Sequence, residues 1–89
     1  MLPREKYLER GIDSLSDTEL VAILVGSGVK GKNFLSISRS IVKKVRKIVS
    51  IGKEICVEDI DGVEGVGEIT AMRILSGMEL GRRVYGYSV

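Results

Sequence analysis

Between Leu15 and Gly26 the chain reads Ser16-Asp17-Thr18-Glu19-Leu20-Val21-Ala22-Ile23-Leu24-Val25, and a strand and a helix compete for it. By composition alone, Val21–Val25 suits a buried strand. The residues before it decide otherwise. Ser16 and Glu19 are spaced as a capping box, in which the serine hydroxyl accepts from the Glu19 amide and the Glu19 carboxylate reaches back to the Ser16 amide. Leu15 and Leu20 flank the cap as a hydrophobic staple. The segment is expected to be a helix, apolar all round and therefore the buried centre of the fold.

Working outward, helix signals continue in both directions. Pro3 suits a first helical turn and Gly11 an exit, so residues 3–10 read as a short helix. Leu8, Ile12 and Leu15 extend its apolar edge. Downstream, Gly26-Ser27-Gly28-Val29-Lys30-Gly31-Lys32 is a loop, and Asn33 can cap the next helix. At about 100° per residue, Phe34, Leu35, Ile37, Ile41, Val42, Val45, Ile48 and Val49 fill one arc of roughly 160°. Arg39, Lys43, Arg46 and Lys47 fall opposite. A short helical turn around Val57–Asp61 follows. The last helix runs from about Glu68 to Val84, with Ala71, Ile74, Leu75 and Met78 as its core face. Gly77 and Gly81 are expected to let a neighbouring helix come close. The chain reads as all-α, with about five short helices. Residues 1–84 form the domain, and 85–89 start a linker or tail.

Composition narrows the functions. The 89 residues contain no His and one Cys, which excludes His-based catalysis, an internal disulfide and a Cys-rich zinc site within this chain. No cofactor or metal is expected. The longest uncharged run, Leu20 to Val29, is about half a membrane span, and the first residues lack a signal-peptide pattern. A cytoplasmic location without a membrane partner is expected.

The net charge of +2 conceals a segregation of sign. Residues 1–19 hold three basic and five acidic side chains, residues 20–53 eight basic and none acidic, and residues 54–89 three basic and seven acidic. A basic middle between acidic ends points to a polyanionic partner, with a merely solvated helix face as the bland alternative. The same segregation would also allow copies of the chain to pair.

Two glycine clusters carry motifs. Residues 26–31 match a dinucleotide fingerprint and 26–32 a triphosphate loop. The first lacks a preceding strand, and the second has Asn33 where a metal-holding Ser or Thr belongs. A helix-to-helix loop is the better reading, with Lys30 and Lys32 beside its amides as a docking point for a phosphate. The second cluster, Ile60-x-x-Val63-x-Gly65-Val66-Gly67-x-x-x-Ala71-x-x-Ile74, resembles a helix-hairpin-helix motif. Val63 and Val66 peg the hairpin, and the amides around Gly65, Val66 and Gly67 can face one phosphate without reading sequence. A purely architectural hairpin is the alternative, because Asp61, Glu64 and Glu68 surround it and repel phosphate.

The chain as a whole resembles the amino-terminal domain of the RadC family. Pro3-Arg4-Glu5-Lys6, Leu8-Glu9-Arg10-Gly11, Leu15 to Leu24, Gly28-Val29-Lys30-Gly31-Lys32 and Glu79-Leu80-Gly81-Arg82-Arg83 carry the likeness. Asn33 stands where the family often has Ser, and Gly77 and Gly81 stand where it often has Ala. The resemblance implies a tandem helix-hairpin-helix (SAM-like) bundle with a degenerate first hairpin. It also implies a role labelled DNA repair, and a following metallopeptidase-like domain of the JAB/MPN type with a His-x-His…Asp zinc site. Without His, this chain would be a non-catalytic fragment of such a protein. Two functions follow as expectations. One is a module docking on DNA backbone through Lys30, Lys32, Arg39, Lys43, Arg46, Lys47 and the Gly65–Gly67 amides. The other is an interaction or regulatory domain for the metallopeptidase-like half. Cys56, near the start of a short helix, is expected to have a somewhat favoured thiolate, or else to be a small half-buried apolar residue.

Overall fold

The computed structural model of the chain describes residues 1–26 and 34–86. The loop with Lys30, Lys32 and the Asn33 cap lies outside these residues, as do positions 87–89. Five helices are present, with no strand among the described residues: α1 (Pro3–Arg10), α2 (Asp17–Val25), α3 (Phe34–Ser50), α4 (Val57–Asp61) and α5 (Glu68–Tyr85). A 3₁₀ turn at Ile12–Ser14 links the first two.

Local chemistry sets the boundaries. Pro3 begins α1, where its missing N–H costs nothing, and the Leu2 amide donates to Glu5 Oε1 at 2.9 Å. Gly11, at φ +87°, ends the helix. The capping box of α2 forms as expected: Glu19 N–H donates to Ser16 Oγ at 3.1 Å and Ser16 N–H donates to Glu19 Oε1 at 2.9 Å. Leu15 is buried beside it.

Packing places α2 against α1, α3 and α5, while α4 sits on α3 and α5. The core is Val25, Ile41, Ile60, Val66, Ala71 and Ile74. Each isoleucine there contributes on the order of 2–3 kcal/mol by leaving water. Thus α2 is central in its neighbours but not fully buried: only Ala22 and Val25 are enclosed, and Leu24 is exposed. The apolar arc of α3 is also narrower than expected, since Leu35 and Val49 lie in solvent. Ser38 takes a place on the buried face. Its hydroxyl donates to the Phe34 carbonyl at 2.7 Å, so its polarity is satisfied within the helix.

The hairpin between α4 and α5 is tight. Val63 N–H donates to the Ile60 carbonyl and Val66 N–H to the Val63 carbonyl, each at 3.0 Å. Gly65 has φ +89°, and a Cβ there would lie 2.8 Å from Ile37 Cδ1 of α3. The positive φ requires glycine, and the close Ile37 methyl would have to move for any larger residue. Gly77 and Gly81 are not points of close helix approach. A Cβ at Gly77 would make an ordinary contact with Leu24 at 3.8 Å, and one at Gly81 would meet open space.

Candidate nucleic-acid interface

Helix α3 contains no acid, and every charge on its outer face is basic. Arg39, Lys43 and Lys47 follow one another at i, i+4 and i+8, a gently winding row with steps of about 6 Å along the axis. All three are exposed. Among the described residues, none of them makes an ion pair. Arg46, one position round the helix, is different: its guanidinium bonds Asp17 at the start of α2. That pair is well exposed and adds little stability, but it ties one cation to the fold. Arg39, Lys43 and Arg46 line a shallow depression with Thr18 and Val42.

The other edge of α3 meets the hairpin. Ser36, Ile37 and Ser40 line a depression of about 330 Å³ with Glu64 and Gly65. The hairpin and the cationic row therefore share one helix, with two serine hydroxyls between them. Those serines were not evident from sequence, since nothing local ties Ser36 or Ser40 to residues near 65. The three hairpin residues serve different ends. Val66 is a buried peg whose N–H is spent on Val63. Gly65 fits the hairpin against Ile37, and Gly67 precedes α5 with no side-chain cap on that helix. Glu64 and Glu68, both exposed, flank this end.

Charges elsewhere are held by short-range partners. The Glu19 carboxyl is held below its ordinary value by the Ser16 amide and then by Lys6, whose Nζ lies 3.0 Å from Oε1. Glu79 falls to about 2 because Arg82 and Arg83 both donate to it. Asp59 is lowered first by the Cys56 amide and then by its thiol, with smaller contributions from Lys53 and Lys44. The Cys56 thiol is correspondingly pushed up by its 3.2 Å bond to Asp59. This reverses the expected thiolate preference, because the carboxylate at the helix start outweighs the helix dipole. Nor is Cys56 a half-buried apolar residue; it is exposed and caps α4.

Among the described residues no group of three or more His, Cys, Asp or Glu could hold a metal ion. No described helix is long and apolar enough to cross a membrane.

Comparison with known proteins adds to this geometry. The UPF0758 N-terminal family model matches residues 1–72. A UPF0758 protein of Thermotoga maritima is 36% identical over 85 residues, covering 96% of this chain and 38% of its own length. One from Flavobacterium johnsoniae is 38% identical over 81 residues, covering 91% and 35%. A third, from Streptococcus agalactiae, is 32% identical over 85 residues, covering 96% and 37%. The chain thus spans a little over a third of the length of these relatives. No solved structure matches it. The chain belongs to the UPF0758 family, the amino-terminal region of the RadC family that its sequence resembles.

Proposed function

We propose that this domain is a non-catalytic module that docks on nucleic-acid backbone, DNA in the RadC setting, without strong sequence preference. The supporting observation is the row Arg39–Lys43–Lys47, three exposed cations on an acid-free helix with no internal ion pair among the described residues. Cations left unneutralised by their own fold are free to displace counterions from phosphates, which drives sequence-independent binding. Arg46 can join by exchanging Asp17 for a phosphate. Lys30 and Lys32, outside the described residues, precede the same helix in sequence and extend its charge. The hairpin plays a supporting part: Gly65 and Val66 fix α4 and α5 against α3, while Glu64 and Glu68 make its mouth a poor seat for phosphate.

Fluorescence anisotropy with labelled single-stranded and branched DNA tests the reading. Neutralising about 4–5 phosphates gives a slope near −4 for log K against log salt. Replacing Arg39, Lys43 and Lys47 together by Glu is expected to abolish most binding at about 50 mM salt, and each single change to reduce the slope by about one. No binding by the unaltered chain, or undiminished binding by the triple variant, overturns it. The alternative function, an interaction or regulatory domain for an attached metallopeptidase-like domain, draws on a different surface, the carboxy-terminal half of α5.

A further inference from the structure

The apolar seam of α5 outlasts the core it belongs to. Ala71 and Ile74 are fully enclosed, but the same face continues through Met78, Gly81 and Tyr85, and there the covering helices end. Exposure climbs from 2% at Ile74 to 40% at Met78 and 84% at Tyr85. Beside this seam Leu80 and Val84, i and i+4, are each more than 60% exposed. The charges of the segment do not break up this surface. Glu79 gathers Arg82 and Arg83 on the remaining arc of the helix, where they border the face beside Met78 and Leu80 without crossing it. Two turns of helix thus present a contiguous apolar face, which in a folded protein marks a contact surface.

Two further observations say what covers it. The family model for the amino-terminal domain stops at residue 72, inside α5, whereas the likeness to the Thermotoga maritima and Streptococcus agalactiae proteins covers 96% of the chain. The second half of α5 is therefore shared with longer proteins, although the family match ends before it. In those relatives nearly two thirds of the length is not matched by this chain.

We propose that the face formed by Met78, Leu80, Gly81, Val84 and Tyr85 is the seat for the polypeptide that follows this helix in the longer relatives, which packs an apolar patch of its own against it. The proposal rests on the interaction reading and uses none of the residues assigned to nucleic acid, so each stands or falls separately. In this arrangement α5 is a shared strut, whose first half closes one core and whose second half begins another contact.

Hydrogen exchange on the full-length Thermotoga maritima relative tests it. The amides aligned with residues 77–85 are expected to exchange about tenfold or more slowly than those of the 89-residue chain. Placing glutamate at the two positions aligned with Leu80 and Val84 should remove that protection and leave the segment aligned with α3 unchanged. As a control on folding, Leu80→Glu/Val84→Glu in the present chain should keep the helical circular dichroism and the melting temperature. Equal exchange in both proteins, or protection that survives the two glutamates, overturns the proposal. So does a dimer of the 89-residue chain that Leu80→Glu/Val84→Glu dissociates, since a second copy would then be the occupant.

Discussion

Lys6 and the backbone of Ser16 share one oxygen: Glu19 Oε1 accepts Lys6 Nζ at 3.0 Å and Ser16 N–H at 2.9 Å. The first helix is thereby moored to the cap that starts the second. This contact joins residues thirteen apart through an atom already committed to local structure.

The shared oxygen gives the domain a defined acid limb. Glu19 is lowered in the fold by the Ser16 amide and Lys6, and Glu79 is lowered to about 2 by Arg82 and Arg83. A depressed carboxyl stabilises fully above its ordinary value of 4.5 and loses that contribution as pH falls through the folded value. Melting temperature should therefore hold steady above about pH 5 and decline below it. Glu19→Gln/Glu79→Gln should flatten the decline, as thermal scans across this range would show. Ser16→Ala, which removes the cap itself, should cost about 1 kcal/mol at any pH.

Three glycines should respond in opposite directions. Gly65→Ala is expected to destabilise by about 1–3 kcal/mol, because Ile37 Cδ1 can swing aside but a φ of +89° suits only glycine well. Gly77→Ala and Gly81→Ala each should stabilise by about 0.5–1 kcal/mol, since a methyl there meets only Leu24 at 3.8 Å or nothing. Urea denaturation measures all three. A stable Gly65→Ala would mean that the hairpin has more freedom than its packing implies.

Gly67→Ser separates stability from binding. A serine at this position can cap the first amides of α5 and should add a few tenths of a kcal/mol. On the proposed docking through α3, DNA affinity should change less than twofold. Loss of affinity in a folded Gly67→Ser protein would move the phosphate site to the hairpin.

Cys56 should be slow to alkylate. Its thiol donates to Asp59 Oδ2, which holds it above the ordinary 9.0. Asp59→Asn removes the carboxylate charge and should speed iodoacetamide labelling several-fold at about pH 8. An unchanged rate would show that Asp59 does not control the thiol.

Features set by near neighbours in sequence were legible, and those set by distant ones were not. The Ser16–Glu19 cap, the start at Pro3 and the α4 turn depend on residues within four positions, and all appear where the pattern puts them. Helical periodicity also separated Ile41 and Ile48 from Arg39 and Lys43. It could not say how far the neighbouring helices reach, so Leu35, Val49 and Met78 were expected in the core and lie substantially in water. Ser38 was missed for the reverse reason: a hydroxyl that bonds back to Phe34 can be buried without any partner that sequence would reveal. The Arg46–Asp17 pair spans 29 positions, and only folding shows that one cation of the basic stripe is already engaged.

Helix α3 interleaves two independent instructions along seventeen residues. Positions 37, 41, 45 and 48 speak to the interior, while positions 39, 43 and 47 speak only to whatever approaches from outside. Substitutions in the second set leave the first undisturbed. On the proposed docking, attraction for a charged partner can thus be retuned, or surrendered, by surface substitutions alone and without passing through an unstable intermediate.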